Sequence, residues 1–238
     1  MYIMYFFLII ILLTALIIFL LHNSYYQKTE YYMITHNPYL KVYFDKGLLG
    51  EYLIYKCLKS LKGYKRFLFN VYFPKEDGTF TEVDVIMLHE TGIYVFESKN
   101  YSGWIFGSEA QRNWTQSLAS GQGRTQKTHF LNPIIQNKVH IKWLQTYLKC
   151  DSNLPFYSCI VFSERCELKK ITLTSGNHLV FKRNDILQTI SAKASKSEKV
   201  LTQKKIENLF KQLYPLTQVS SSIKASHIQT IQSKYRNH

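Results

Sequence analysis

The sequence predicts a mixed α/β domain carried behind one apolar N-terminal helix. Three observations carry this reading. Residues 2 to 21 contain no charged side chain. Two β-branched and aromatic runs, Thr81 to Leu88 and Ile93 to Lys99, flank the short segment His89-Glu90-Thr91-Gly92, which is a hairpin pattern. Helix-starting signals stand on both sides of that hairpin, Asp45 before it and Asn132-Pro133 after it.

The N-terminal run has the roughly 20 apolar residues that a membrane-spanning helix needs. It lacks the basic start, short core and small-residue cleavage site of a secretory signal, since no Lys or Arg precedes Lys28. Residues 1–23 therefore read as an uncleaved anchor, with Tyr2, Tyr5, Tyr25 and Tyr26 at its two ends. Lys28, Lys41 and Lys46 follow it, which by the positive-inside rule places the rest of the chain in the cytoplasm. Residues 24–44 read as a tyrosine-rich connector.

Asp45 is expected to cap a helix running to about Lys62 and ended by Gly63. Within its apolar stripes lies Glu51. A carboxylate there needs a partner or must snorkel to water, and the residues alone leave both readings open. A strand follows from Arg66 to Phe73, then the turn from Pro74 to Thr79, then the hairpin. Residues 105–131 read as a loop containing Gly107, Gly121 and Gly123. Its Arg112, Arg124 and Lys127 could close on a phosphate backbone or simply be surface residues, and the sequence alone favours the latter. The helix begun at Asn132-Pro133 should reach about Lys149. On it Gln136 and His140 are four apart, and His140 reads as a surface residue. Phe156 to Phe162 is a further strand.

Residues 166–215 are expected to add an edge strand, His178 to Phe181, and two helices. One is capped by Asp185 and the other is opened by Ser195-x-x-Glu198. Residues 216–238 are polar and basic and read as a disordered tail. Nine Lys or Arg and only two acids follow residue 190, a surplus that is half of the net charge of +14. That charge suits nucleic acid or an anionic leaflet. The four cysteines, at 57, 150, 159 and 166, show no paired spacing, so buried thiols are expected and a zinc site is not.

The hairpin carries the chemistry. Glu97 and Lys99 are two apart, so on a strand they share a face, and Asp84 can face them from the neighbouring strand. Two carboxylates on an otherwise apolar sheet repel each other unless a cation joins them. A Mg²⁺ ion takes hard oxygen ligands, often only one or two from the protein. The bland alternative is a solvated Glu–Lys pair with Asp84 exposed.

Asp84 followed by Glu97-Ser98-Lys99 resembles the signature of the PD-(D/E)XK nuclease superfamily. The closer likeness is to its nuclease-related domain (NERD) branch. The matching pieces are Gly50-Glu51, Glu82-Val83-Asp84, Gly92 through Gly103, Trp114, Asn132-Pro133-Ile134-Ile135-Gln136 and Ile160 through Ser163, spread over residues 45–165. The resemblance implies a restriction-endonuclease-like core of order αβββαβ with a mixed sheet. It implies Asp84 and Glu97 as metal ligands with Glu51 as a possible third, Lys99 and Gln136 as catalytic neighbours, and Mg²⁺ as cofactor, with Mn²⁺ able to substitute. The activity implied is hydrolysis of DNA or RNA phosphodiesters by a membrane-anchored enzyme. The alternative is a nucleic-acid-binding or scaffolding module that keeps the fold without turnover.

Overall fold

A computed structural model describes residues 2–121, 123–149 and 154–236. Helix α1, Tyr2–Gln27, is apolar on every side, and Tyr26 is its buried residue. It is long and apolar enough to cross a membrane, by length and composition. The connector is ordered rather than loose. It forms α2, Glu30–Thr35, and α3, Tyr39–Phe44, because a set of aromatic side chains has partners there. Tyr26 packs edge-on against Tyr32 and Tyr52, and Tyr31 against Tyr52 and Phe69. Glu30 adds an ion pair to Arg66 at 2.8 Å.

Asp45 caps α4, Lys46–Leu58, by accepting hydrogen bonds from the Gly47 and Leu48 amides at 2.8 and 3.0 Å. The helix stops short of Lys62. Leu61 turns inward to a buried position and its N–H bonds back to the Leu58 carbonyl at 3.0 Å, which tightens the last turn. Strands β1 (Lys65–Pro74), β2 (Phe80–His89) and β3 (Gly92–Lys99) then form an antiparallel meander.

Residues 105–131 are not a loop. They supply β4 (Gly103–Ser108), β5 (Asn113–Ala119) and β6 (Thr125–Leu131). With β8 (Cys166–Thr172) they make a second sheet in the order β6-β5-β4-β8. Gly121 and Gly123, with φ of 71° and 72°, form the β5–β6 turn, a backbone region that favours glycine. Few side chains of these strands point inward (Ile105, Trp114 and Phe130 among them), so alternation in the sequence was faint.

Helix α5, Pro133–Leu148, begins where Asn132 caps it, and β7, Phe156–Phe162, and β9, His178–Lys182, complete the first sheet. Its order is β1-β2-β3-β7-β9, antiparallel through β3 and parallel beyond it. Helix α6, Ile186–Ser195, ends at the serine expected to open the next helix. Helix α7, Gln203–Leu213, is capped instead by Thr202, which accepts from the Lys205 amide at 3.3 Å. The tail also departs from the expectation of disorder. Pro215 lies in a 3-10 turn, and residues Ser221–Arg236 form α8, whose His227 ring meets Tyr72 edge-on. Residues 237 and 238, and Cys150, lie outside the described residues.

The molecule is layered. Helices α4 and α6 cover one face of the first sheet through Ile54, Leu58, Ile186 and Ile190. Helices α5 and α7 cover the other through Leu144, Ile206, Leu209 and Leu213. One irregularity matters for function. In β1, Phe67 and Phe69 pack on the α4 side, but Val71 and Phe73 pack on the α5 side. In β2 the same switch separates Val85 from Val83. A regular strand would keep these residues on one face. The slip occurs at Asn70, whose φ is 49°, and at Asp84 opposite it.

Candidate active site

The irregularity builds the site. The β1–β2 ladder pairs Phe69 with Val85 and Val71 with Val83 but skips Asn70 and Asp84. The β2–β3 ladder ends at Val85 and Phe96, one position before Asp84 and Glu97 would pair. The hairpin therefore splays open where its acids stand opposite each other. Asp84 turns its carboxylate to the Ser98 amide, which donates to Oδ2 at 2.8 Å. Ser98 itself faces α4, and Gly50 makes room for it. A Cβ at Gly50 would come within 2.6 Å of the Ser98 Oγ.

Glu97 and Lys99 share the opposite face, as their spacing predicts. Lys99 Nζ donates to Glu97 Oε1 at 2.6 Å and to Gln136 Oε1 at 3.0 Å. The second Glu97 oxygen meets His140 Nε2 at 3.1 Å, while His140 Nδ1 lies 2.9 Å from the Thr81 hydroxyl. A ring protonated at Nε2 satisfies both contacts. His140 is thus a buried partner of Glu97 rather than a surface residue. Its four-residue spacing from Gln136 was the available signal, because i and i+4 share a helix face.

Glu51 lies on the α4 side, almost fully buried. Its carboxylate accepts from Asn70 Nδ2 at 3.0 Å and from the Tyr31 hydroxyl at 3.4 Å. The left-handed kink at Asn70 thus both opens the ladder and supplies a partner to Glu51. The snorkelling reading of Glu51 fails.

The electrostatics follow from this crowding. Burial pushes the Asp84 carboxyl well above the ordinary carboxylate range, and the charge on Glu97 adds to the shift. Burial raises Glu51 in the same direction, with Asp84 and Glu82 adding repulsion. Burial also opposes ionisation of Glu97, but Lys99 and His140 outweigh it and hold that carboxyl below its usual value. Burial works against the charge on Lys99, yet Glu97 and Asp84 overcome it and raise its pKa. Lys99 is therefore a fixed ammonium and not a general base.

Asp84 and Glu97 offer hard oxygen donors, and each carboxylate oxygen keeps a lone pair beyond its present contact. A divalent cation fits here, since its charge would offset the burial and the Glu97 repulsion that together raise Asp84. Among the described residues no three His, Cys, Asp or Glu converge closely enough to cage a metal unaided. The set suits an ion that retains much of its own water, as Mg²⁺ does. The free thiols Cys57, Cys159 and Cys166 stand elsewhere.

Arg112, Arg124 and Lys127 belong to the second sheet and are exposed. Arg112 immediately precedes β5, Arg124 closes the β5–β6 turn and Lys127 lies on β6 opposite Ser117. Among the described residues, no hydrogen bond or ion pair joins them to Asp84, Glu97 or Lys99. A cleft of about 540 Å³ also lies on this sheet, lined by Ser108, Gln111, Asn113, Thr115, His129 and Lys170 among others. None of the clustered acids lines it, so the acid site is not part of this cleft. The site does connect to the N-terminal region: Asn100, next to Lys99, donates from Nδ2 to the Lys46 carbonyl at 2.6 Å.

The profile of the nuclease-related domain matches residues 46–163, which span both acids, Lys99, Gln136 and His140. An uncharacterized protein from Bacillus anthracis is 31% identical over 191 residues, covering 80% of this chain and 85% of its own. The chain belongs to the nuclease-related domain family. That family lies within the PD-(D/E)XK nuclease-like superfamily. No solved structure matches the chain significantly. The nuclease-related domain thus begins at α4 and ends just past β7, and it contains every residue of the acid site.

Proposed function

We propose that the protein is a membrane-anchored, cytoplasm-facing, metal-dependent nuclease that hydrolyses phosphodiester bonds of DNA or RNA. The observation that carries this is Lys99 Nζ bridging Glu97 and Gln136 beside Asp84. The five-stranded sheet, flanked by α4 and α5, would be the PD-(D/E)XK core. The +14 charge gives a general attraction for polyanions, and the lysines that follow α1 favour the cytoplasmic side.

Asp84 and Glu97 would hold Mg²⁺ or Mn²⁺, with Glu51 behind them. When bound, that ion supplies Lewis-acid polarisation and a more acidic water. The chain's own groups do the rest. Lys99 holds the attacking water near Glu97 and opposes the negative charge that develops around phosphorus. Gln136 fixes Lys99 through its carbonyl oxygen and keeps its NH₂ donors for water or a phosphate oxygen. His140 and Thr81 hold the Glu97 carboxylate in one orientation. Water adds to phosphorus, one P–O ester bond breaks, and the products are a phosphomonoester and a hydroxyl.

The test is incubation of the full chain in detergent with labelled single- and double-stranded DNA and RNA. Cleavage should appear with Mg²⁺ or Mn²⁺, stop with EDTA, and be absent from the Asp84→Asn, Glu97→Gln double variant. Calorimetry should show Mn²⁺ binding to the wild type and not to that variant. Binding of all four substrates without cleavage would instead support the non-catalytic module.

A further inference from the structure

Helix α3 has an apolar face that none of the other described residues covers. Leu40, Tyr43 and Phe44 are 49%, 57% and 77% exposed and share one side of the helix by their spacing of three and four. Elsewhere on the globular part, exposed apolar residues such as Val139, Leu173 and Leu187 come singly, which is ordinary for a soluble surface. Three on one side of a six-residue helix are not.

The position of this face says what covers it. The Tyr39 ring at the start of α3 lies 6.2 Å from Phe19, and 5.4 Å from Tyr26. Phe19 belongs to the apolar run that closes at Leu21. At 1.5 Å per residue it sits about 3 Å inside the end of that run. So α3 is packed against the last turn of the candidate span, at the depth where hydrocarbon gives way to headgroups. Lys41 on α3, Lys46 at the start of α4 and Lys28 just after the apolar run are all exposed. Apolar and aromatic side chains with lysines close by in the chain suit an anionic bilayer interface.

We infer that α3 lies in the headgroup layer as a second membrane contact, with Leu40, Tyr43 and Phe44 turned to lipid. The occupant is the bilayer that holds α1, so the inference rests on reading α1 as a membrane span. It goes beyond that reading in fixing how the nuclease-related domain is seated. Because Lys46 follows α3 and bonds to Asn100, the seat extends to the strand end that carries Lys99.

The test uses the full chain in phosphatidylcholine–phosphatidylglycerol vesicles containing a radiolabelled lipid. The photoreactive analogue benzoylphenylalanine replaces, one at a time, Leu12 within α1, Phe44 on α3 and Lys127 on β6. All three positions are exposed, so each replacement leaves packing intact. The expected result is a lipid adduct at positions 12 and 44 and none at 127. A lipid adduct at 12 without one at 44 would overturn the inference while leaving the anchor in place. A chain-to-chain adduct at 44 would also overturn it, showing a second copy as the occupant. The absence of a lipid adduct at 12 would overturn the anchor reading itself, and the inference with it.

Discussion

At Lys99 the fold protects a positive charge that burial would otherwise remove, and its surroundings make it an electrostatic tool. Such a group should matter more in the transition state than for the bound substrate. Lys99→Met keeps much of the side chain and drops the ammonium. Single-turnover cleavage should fall by about 10²-fold or more, the scale of losing one preorganised stabiliser. Equilibrium binding of the same oligonucleotide should change little. Asp84 makes an independent prediction. Its raised folded-state pKa means the folded chain holds that proton more tightly than the unfolded chain. That contribution to stability is complete below the ordinary value of about 4 and is lost as pH rises through the folded value. Asp84→Asn removes the penalty and can still accept from the Ser98 amide. Its melting temperature should therefore exceed that of wild type at pH 8, with the gain vanishing near pH 4. A variant less stable than wild type at pH 8 would show that Asp84 is not held against its own charge. The pairing of Glu97 with Lys99 was legible because a strand's two-residue period puts them on one face. The sequence misplaced His140, because burial of an imidazole depends on a carboxylate 43 residues away that no helical pattern displays.

At the scale of elements, the strongly alternating hairpin and the capped helices were legible, and the second sheet was not. Strands β4 to β6 bury few side chains and pass glycine where sequence rules expect a loop. Gly107 illustrates the reason. A Cβ there would lie 2.3 Å from the Trp114 ring, so the glycine lets two strands close on an indole rather than loosening the chain. Gly107→Ala should cost about 1–3 kcal/mol, the range for forcing extra volume into a packed site. Thermal unfolding checks this, and an unchanged midpoint would mean that the hairpin moves aside freely. The face switch in β1 and β2 was also hidden, since it depends on one left-handed asparagine. Helix α8 escaped notice for a different reason. It is polar around most of its surface, and its link to the body runs through His227, which lies 3.1 Å from the Phe80 carbonyl and 3.6 Å from Glu82.

For the whole molecule, α1 and the body form one object. Full-length protein should stay in the membrane pellet through high-salt and carbonate washes, because about 20 uncharged residues bind by burial and not by charge. Release by carbonate would show that α1 is not integral. Binding of nucleic acid should weaken steeply with salt, as expected where basic residues displace counterions. What joins the two parts is the feature with the widest consequence. Had residues 24 to 44 been a free coil of 21 residues, they would have given the body a reach of roughly 25 Å. Helices α2 and α3 are instead docked through Tyr26, Tyr31 and Tyr39, and that slack is gone. If α1 is the proposed anchor and the acid site the proposed nuclease, a body held so short could not sweep the cytoplasm for substrate. It would act as a fixed blade at the membrane, and a strand would have to be delivered to the bilayer, or be passing through it, to be cut.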